Sequence, residues 1–193
     1  MEKRHRIFIA VNLPEDIKRQ LFLYSEKWPE LPAKWTTKDN LHITLEFLGH
    51  LTDQEIADVC KISGEVAKRH KAFSITLTKV LYGPPKKIPP RMVWAEGEKS
   101  DDLTDLKQDL QEYLLERVSF RPDDPKGSPG FSPHITLARI REWEWKKIEP
   151  EERPQVFEEI DITFTVESIE VEESELKKGG PQYTILESHN LGE

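Results

Sequence analysis

Apolar and polar positions along this chain change period several times, and each change predicts an element. Residues 6–12, Arg-Ile-Phe-Ile-Ala-Val-Asn, make the short continuous apolar run of a buried strand. Pro14 suits the first turn of a helix in which Ile17, Leu21, Tyr24 and Trp28 share one face, until Pro29 and Pro32 stop it. The period then drops to two. Leu41, Ile43, Leu45 and Phe47 alternate with His42, Thr44 and Glu46, which predicts a strand with one face anchored in a core and the other polar. Gly49 breaks the chain, and Thr52-Asp53-Gln54-Glu55 has the form of a capping box opening a helix with Ile56, Val59, Cys60 and Val66 inward. Phe73, Ile75 and Leu77 alternate with Ser74, Thr76 and Thr78 as in a half-exposed strand.

The pattern then repeats. Pro84-Pro85 and Pro89-Pro90 punctuate the middle, residues 91–95 predict a strand, and residues 101–118 place Leu103, Leu106, Leu110, Tyr113 and Leu114 on one helical stripe. Phe120 to Ser132 is rich in Pro, Gly and Asp, predicting a long loop that leads into His134-Ile135-Thr136-Leu137. There Ser132, His134 and Thr136 share one face while Ile135 and Leu137 take the other. Ile160, Ile162, Phe164 and Val166 alternate before the register slips to Ile169 and Val171, predicting a bulge near Glu167 and Ser168. A last hairpin turns at Gly179-Gly180 into Tyr183, Ile185 and Leu186.

Strand, helix and histidine strand thus follow one another twice with no linker between the copies. That order predicts an α+β fold, one unit over residues 1–193 made of two pseudo-symmetric lobes. Each lobe is expected to be a mainly antiparallel sheet with helices on its outer face, and the histidine strands to line the cleft between the lobes.

Charge changes the picture of what such a cleft holds. The 193 residues carry a net charge of −8, which argues against a protein that coats long nucleic acid, because that affinity comes from phosphate neutralisation by Lys and Arg. A nucleic-acid end is still compatible with this charge as a substrate, and basic residues gather locally at Lys86, Lys87 and Arg91 and again at Arg139, Arg141, Lys146 and Lys147. The N-terminal apolar run is too short for a signal peptide or a membrane span, so a cytoplasmic monomer away from membranes is expected. Cys60 is unpaired by count and reads as a small buried hydrophobe.

The chemistry rests on His42-Ile43-Thr44-Leu45 and His134-Ile135-Thr136-Leu137, one tetrapeptide present twice. Either copy alone is compatible with a core strand whose histidine is hydrogen-bonded. Two chance copies have a probability on the order of 1 in 10,000 on composition, so the duplication itself asks for a function. Histidine titrates near neutrality, so one imidazole can accept a proton while its twin donates one. Cleavage of a phosphodiester needs both roles, each worth roughly 10²- to 10⁴-fold, and the two Thr hydroxyls can donate to the charged phosphoryl oxygens. A metal is the chemical rival. Its ligand set is thin, because Glu46 is the available third ligand in the first copy and its counterpart is Ala138. A Ser132–His134 nucleophile would need one histidine only. No metal or cofactor is therefore expected.

With their flanks, these tetrapeptides resemble the signature of the two-histidine (2H) phosphoesterase superfamily, in its branch of RNA 2′,3′-cyclic phosphodiesterases, also called 2′-5′ RNA ligases. The likeness runs from residues 6–14 through Asn40 to Gly49, Arg91 to Trp94 and Phe131 to Arg139, and on to Ser174 through Tyr183. It implies hydrolysis of a terminal 2′,3′-cyclic phosphate to a 2′-phosphate, with RNA 3′ ends or small cyclic nucleotides as substrate and with reversible 2′-5′ ligation as a further capacity. By the same likeness His42 is the proton donor to the 3′ oxygen, His134 the base that activates water, Thr44 and Thr136 the phosphate holders, and Arg139 their assistant. Three positions depart from the family's pattern. Phe8 stands beside Ile9 where two aromatics are common, Glu46 stands where Lys is common, and strict alternation turns Arg139 away from His134. Glu46 beside His42 would favour the protonated imidazole. The alternative is a protein that binds RNA ends or nucleotides on this fold without turnover.

Overall fold

A computed structural model describes residues 3–118 and 133–192. The predicted loop from Phe120 to Ser132 lies outside the described residues, and so does the expected placement of Ser132 beside His134. The chain forms β1 (His5–Asn12), α1 (Glu15–Phe22), α2 (Tyr24–Lys27), β2 (Ala33–Trp35), β3 (His42–Leu51), α3 (Asp53–Ala67) and β4 (Phe73–Gly83). It continues through β5 (Met92–Gly97), α4 (Asp101–Arg117), β6 (His134–Ile140), β7 (Phe157–Val166), β8 (Ser168–Lys177) and β9 (Gly180–Asn190). The expected single helix from Pro14 to Trp28 is divided at Leu23, where the Glu26 N–H bonds back three residues to the Leu23 carbonyl and tightens the turn.

Among the described residues the strands form one sheet in the order β7-β4-β5-β6-β3-β1-β8-β9, with β2 added beside β6. The paired strands run antiparallel, as expected of this α+β chain. The two histidine strands, β3 and β6, are the central neighbours. Outward from β3 come β1, β8 and β9, and outward from β6 come β5, β4 and β7, three strands on each side of the pair. The bulge expected near Glu167 is instead the crossing between halves. Pairing of β7 with β4 ends at Val166 and pairing of β8 with β9 begins at Ser168. One intervening residue cannot span an open sheet at 3.8 Å per Cα step, so the sheet curls until its flanks approach.

The core explains why these elements hold. Ile7, Ile9 and Val11 of β1, Ile43 and Leu45 of β3, and Ile135 and Leu137 of β6 are all at most 2% exposed. Leu103, Leu106, Leu110 and Leu114 of α4 and Val59, Ile62 and Val66 of α3 are buried in the same cluster. Both helices open on side-chain caps. Thr52 and Glu55 complete the predicted capping box of α3, and the Ser100 hydroxyl accepts from the Leu103 N–H at the start of α4. Cys60 is buried, and that burial pushes its thiol up to about 12, in keeping with an inert packing residue. No described helix is long and apolar enough to cross a membrane.

Candidate active site

One register pair fixes the centre of the molecule: Ile43 of β3 lies across from Ile135 of β6. In an antiparallel ladder the neighbouring positions follow, so His42 falls across from Thr136, and Thr44 across from His134. Both isoleucines are fully buried, which commits the alternate face, carrying both imidazoles and both hydroxyls, to the other side of the sheet. His42, Thr44, His134 and Thr136 are each half-buried. The tetrapeptides thus meet around a local twofold relation.

The geometry around His42 sets its tautomer. Its Nδ1 lies 2.8 Å from the Asn40 carbonyl, which can only accept, so Nδ1 carries the proton. Nε2 is 2.9 Å from Thr44 Oγ1 and accepts the hydroxyl proton when the ring is neutral. Burial pushes the imidazole down to about 4; the charges of Lys18, Arg139 and His134 add to the fall, against the Asn40 bond, which favours the charged ring. Phe8 packs on the ring at 5.0 Å and Tyr183 meets it edge-on at 5.3 Å. Around His134 the neighbours differ. The Trp94 indole stacks on its imidazole at 3.9 Å. Thr136 Oγ1 faces the Met92 sulfur at 3.9 Å, and an Arg139 Nη1 faces the same sulfur at 3.8 Å. Sulfur is a weak acceptor, so both donors keep most of their capacity for a stronger one such as a phosphate oxygen.

At the last residue of each tetrapeptide the alternation slips by one, at the same place in both copies. Along β1 the partner of Ile9 is Glu46 but that of Ala10 is Thr44, which leaves Leu45 bulged; along β5 Val93 faces Ala138 but Trp94 faces Thr136, which leaves Leu137 bulged. Three expectations change accordingly. Phe47, expected in the core, is 42% exposed and lies 6.1 Å from the Phe8 ring on the histidine side. Glu46, expected beside His42, is turned into the interior at 2% exposure, where Lys107 Nζ bonds it at 3.0 Å and Gln111 Nε2 at 2.6 Å. It therefore neither charges His42 nor offers it a third metal ligand. Arg139, expected on the far face, is returned to the histidine side by the second bulge, and its charge reaches both His42 and Tyr183. Among the described residues no three His, Cys, Asp or Glu side chains converge as a metal site.

Comparison with known proteins places the chain in a family. The profile of the LigT like Phosphoesterase family matches residues 11–94, which contain the first tetrapeptide. An RNA 2′,3′-cyclic phosphodiesterase of Thermus thermophilus is 31% identical over 195 residues, covering 96% of this chain and 90% of that protein. This chain belongs to that family. The RNA 2′,3′-cyclic phosphodiesterase of Thermotoga maritima is 29% identical over 187 residues, covering 94% of this chain and 92% of its own. A crystal structure of a Thermus thermophilus protein superposes with a TM-score of 0.80 at 30% identity, covering 97% of this chain and 99% of that one. Escherichia coli LigT in its apo form superposes with a TM-score of 0.75 at 25% identity, covering 99% of each. The curled antiparallel sheet flanked by helices is thus the fold of these phosphoesterases.

Asn40, Met92, Trp94 and Tyr183 touch the candidate residues, and none was singled out for this by the sequence. Trp94 and Met92 share parity in β5, a signal that becomes usable only once β5 is known to neighbour β6. Tyr183 reaches His42 through the curl of the β8–β9 hairpin, and no local pattern carries that information.

Proposed function

We propose that the chain hydrolyses terminal 2′,3′-cyclic phosphates of RNA to 2′-phosphates, with His42 and His134 as the acid–base pair and without a metal. Its class is that of its family, a hydrolase acting on phosphodiester bonds. The observation that carries the reading is the Ile43–Ile135 register, which sets two imidazoles and two hydroxyls on one face of a relative of RNA 2′,3′-cyclic phosphodiesterases. In the reaction a water oxygen attacks phosphorus as one imidazole takes its proton. The bond from phosphorus to the 3′ oxygen breaks, and the other imidazole protonates that oxygen. Thr44, Thr136 and Arg139 hold the phosphoryl oxygens as charge builds on them. A 5′-hydroxyl in the water's place would form a 2′-5′ linkage by the same bond changes.

The family likeness makes His42 the donor and His134 the base. One observation favours the reverse division: at neutral pH His42 is uncharged, its Nε2 lone pair bare apart from the Thr44 hydroxyl, which suits a base. An oligonucleotide ending in 2′,3′-cyclic phosphate tests the activity itself. The expected product is the 2′-phosphate with undiminished rate in EDTA; binding without ring opening would leave a non-catalytic RNA-end binder, and loss on chelation restored by Zn²⁺ or Mn²⁺ would make the site a metal centre.

A further inference from the structure

His42 stands between two different neighbours on β3. On the β6 side it falls across from Thr136, and on the β1 side its register partner is Asn12. Ile7, Ile9 and Val11 fill the core, so alternation turns Phe8, Ala10 and Asn12 to the face that carries the imidazole, and the Phe8 ring lies 5.0 Å from it. Lys18 reaches this flank from α1. Its Nζ donates to Asn12 Oδ1 at 3.3 Å, and its charge is felt at both His42 and Glu172. One neutral amide is an incomplete partner for an ammonium, which has three protons to donate. By contrast Lys38, which also reaches α1, is paired with Glu15. The carboxyls behind Asn12 are bonded elsewhere. Glu170 accepts from the Asn12 backbone and from the Ser168 and Ser188 hydroxyls, and Glu172 accepts from the Asn12 side chain. Both are buried whereas Lys18 is half-buried, so the ammonium is what a ligand arriving from solvent meets.

The place of this cation sets it apart from the reacting phosphate. That group belongs between the two imidazoles, on the β6 side of His42, whereas Lys18 stands on the opposite flank, beyond a strand spacing of about 4.8 Å. We propose that Lys18 binds a second phosphate of the substrate, the phosphodiester 5′ to the terminal nucleoside, and so makes the site selective for RNA ends over free nucleoside 2′,3′-cyclic phosphates. This rests on the two-histidine reading given above. A strand that ends in a cyclic phosphate continues in one direction only, through the 5′ oxygen of its last nucleoside, so its nearest other anion is that phosphodiester. A hydrogen bond from an ammonium to a phosphate oxygen is charge-assisted and stronger than the bond to the Asn12 amide that it replaces or joins. The diester takes no part in the bond changes. Its contact is therefore the same in the ground state and the transition state, and shows in KM.

The test compares a dinucleotide ending in 2′,3′-cyclic phosphate with the matching mononucleoside cyclic phosphate, in the wild type and in Lys18→Gln. Glutamine keeps a donor for Asn12 and removes the charge. The ratio of kcat/KM, dinucleotide over mononucleoside, should fall about tenfold in the variant, and a raised KM for the dinucleotide should account for the fall. Any effect of the lost charge on His42 is common to both substrates and cancels in the ratio. The slope of log KM for the dinucleotide against log salt should also shrink by about 0.7, the share of one phosphate contact. An unchanged ratio overturns the inference and leaves Lys18 as a countercharge for Glu170 and Glu172. If Lys18→Gln does not fold, a dinucleotide joined by an uncharged methylphosphonate carries the test on the wild type, and an undiminished kcat/KM overturns the inference. Binding of the 2′-phosphorylated dinucleotide reads the same contact without turnover, so an inactive protein whose Kd rises in Lys18→Gln would sink the catalytic reading alone.

Discussion

Ile43 faces Ile135 across the join between β3 and β6, and the candidate site is built on that pairing. A slip of one residue would turn every side chain of one strand to the opposite face, sending an imidazole and a hydroxyl into the core. Full burial of both isoleucines is what forbids the slip.

The division of labour between the histidines is decided by the leaving group. A substrate whose 3′ oxygen departs as a stable anion needs a base and hardly any acid. On such a substrate the variant lacking the acid should recover most of its activity relative to ordinary RNA ends, while the variant lacking the base should stay crippled. Recovery of His134→Ala would make His134 the donor, as the depressed His42 favours; recovery of His42→Ala would support the roles implied by the family likeness. Rescue of neither would mean that both rings chiefly bind phosphate. In either division the pH profile of kcat/KM should be bell-shaped, its limbs belonging to the coupled pair.

Arg139 should matter through charge and geometry together. Arg139→Ala removes a cation that depresses His42, so the His42 midpoint should rise, and kcat/KM should fall about 10²-fold as a phosphate donor is lost. Arg139→Lys should restore the His42 midpoint more fully than the rate, because an ammonium supplies the charge without the planar fork. Equal recovery of both would reduce Arg139 to a charge alone.

The sequence made the paired histidines and the strand-helix-strand order legible because hydrophobic period reports burial directly. It failed at the last residue of each tetrapeptide. A bulge leaves no mark on composition: Leu45 and Leu137 are as apolar as a regular strand residue would be, yet both are extra residues in the ladder. Strict alternation therefore misassigned Phe47, Glu46 and Arg139 at one stroke, on the same assumption. The aromatic and sulfur neighbours of the imidazoles were hidden for another reason, since Trp94, Met92 and Tyr183 reach the site through long-range strand order.

Glu46 bears on stability in place of catalysis. Its carboxylate is buried with Lys107 and Gln111, and Oε1 has no hydrogen-bond partner among the described residues. Lys107→Met would strand that charge and should destabilise the protein by about 3 to 5 kcal/mol in urea unfolding. Replacing both Glu46 and Lys107 with Met should recover most of the loss, because desolvation of the pair offsets its attraction. A double variant as unstable as Lys107→Met would show that the ion pair itself stabilises the fold.

Glu172 of β8 is 4% exposed, and its Oε1 accepts from the Asn12 side chain at 3.0 Å; Glu170 accepts from the Asn12 backbone at 3.1 Å. Burial first, and the neighbouring Glu170 second, push Glu172 up to about 7 from an ordinary 4.5. A group whose folded pKa is raised contributes stability that is present below its unfolded value and lost as pH climbs through the folded one. Wild-type protein should therefore lose about 2 to 3 kcal/mol relative to Glu172→Gln between pH 4.5 and pH 7.5. The Gln carbonyl keeps the bond from Asn12, so the comparison isolates the charge. His42 acts oppositely: its folded value is depressed to about 4 from 6.5, so its contribution is present above pH 6.5 and lost as pH falls through about 4. It is common to both proteins and cancels in the difference. Urea unfolding of the two proteins at pH 4.5 and pH 7.5 measures it, and a gap that does not change with pH would mean that Glu172 ionises in the folded protein as it does in the unfolded chain.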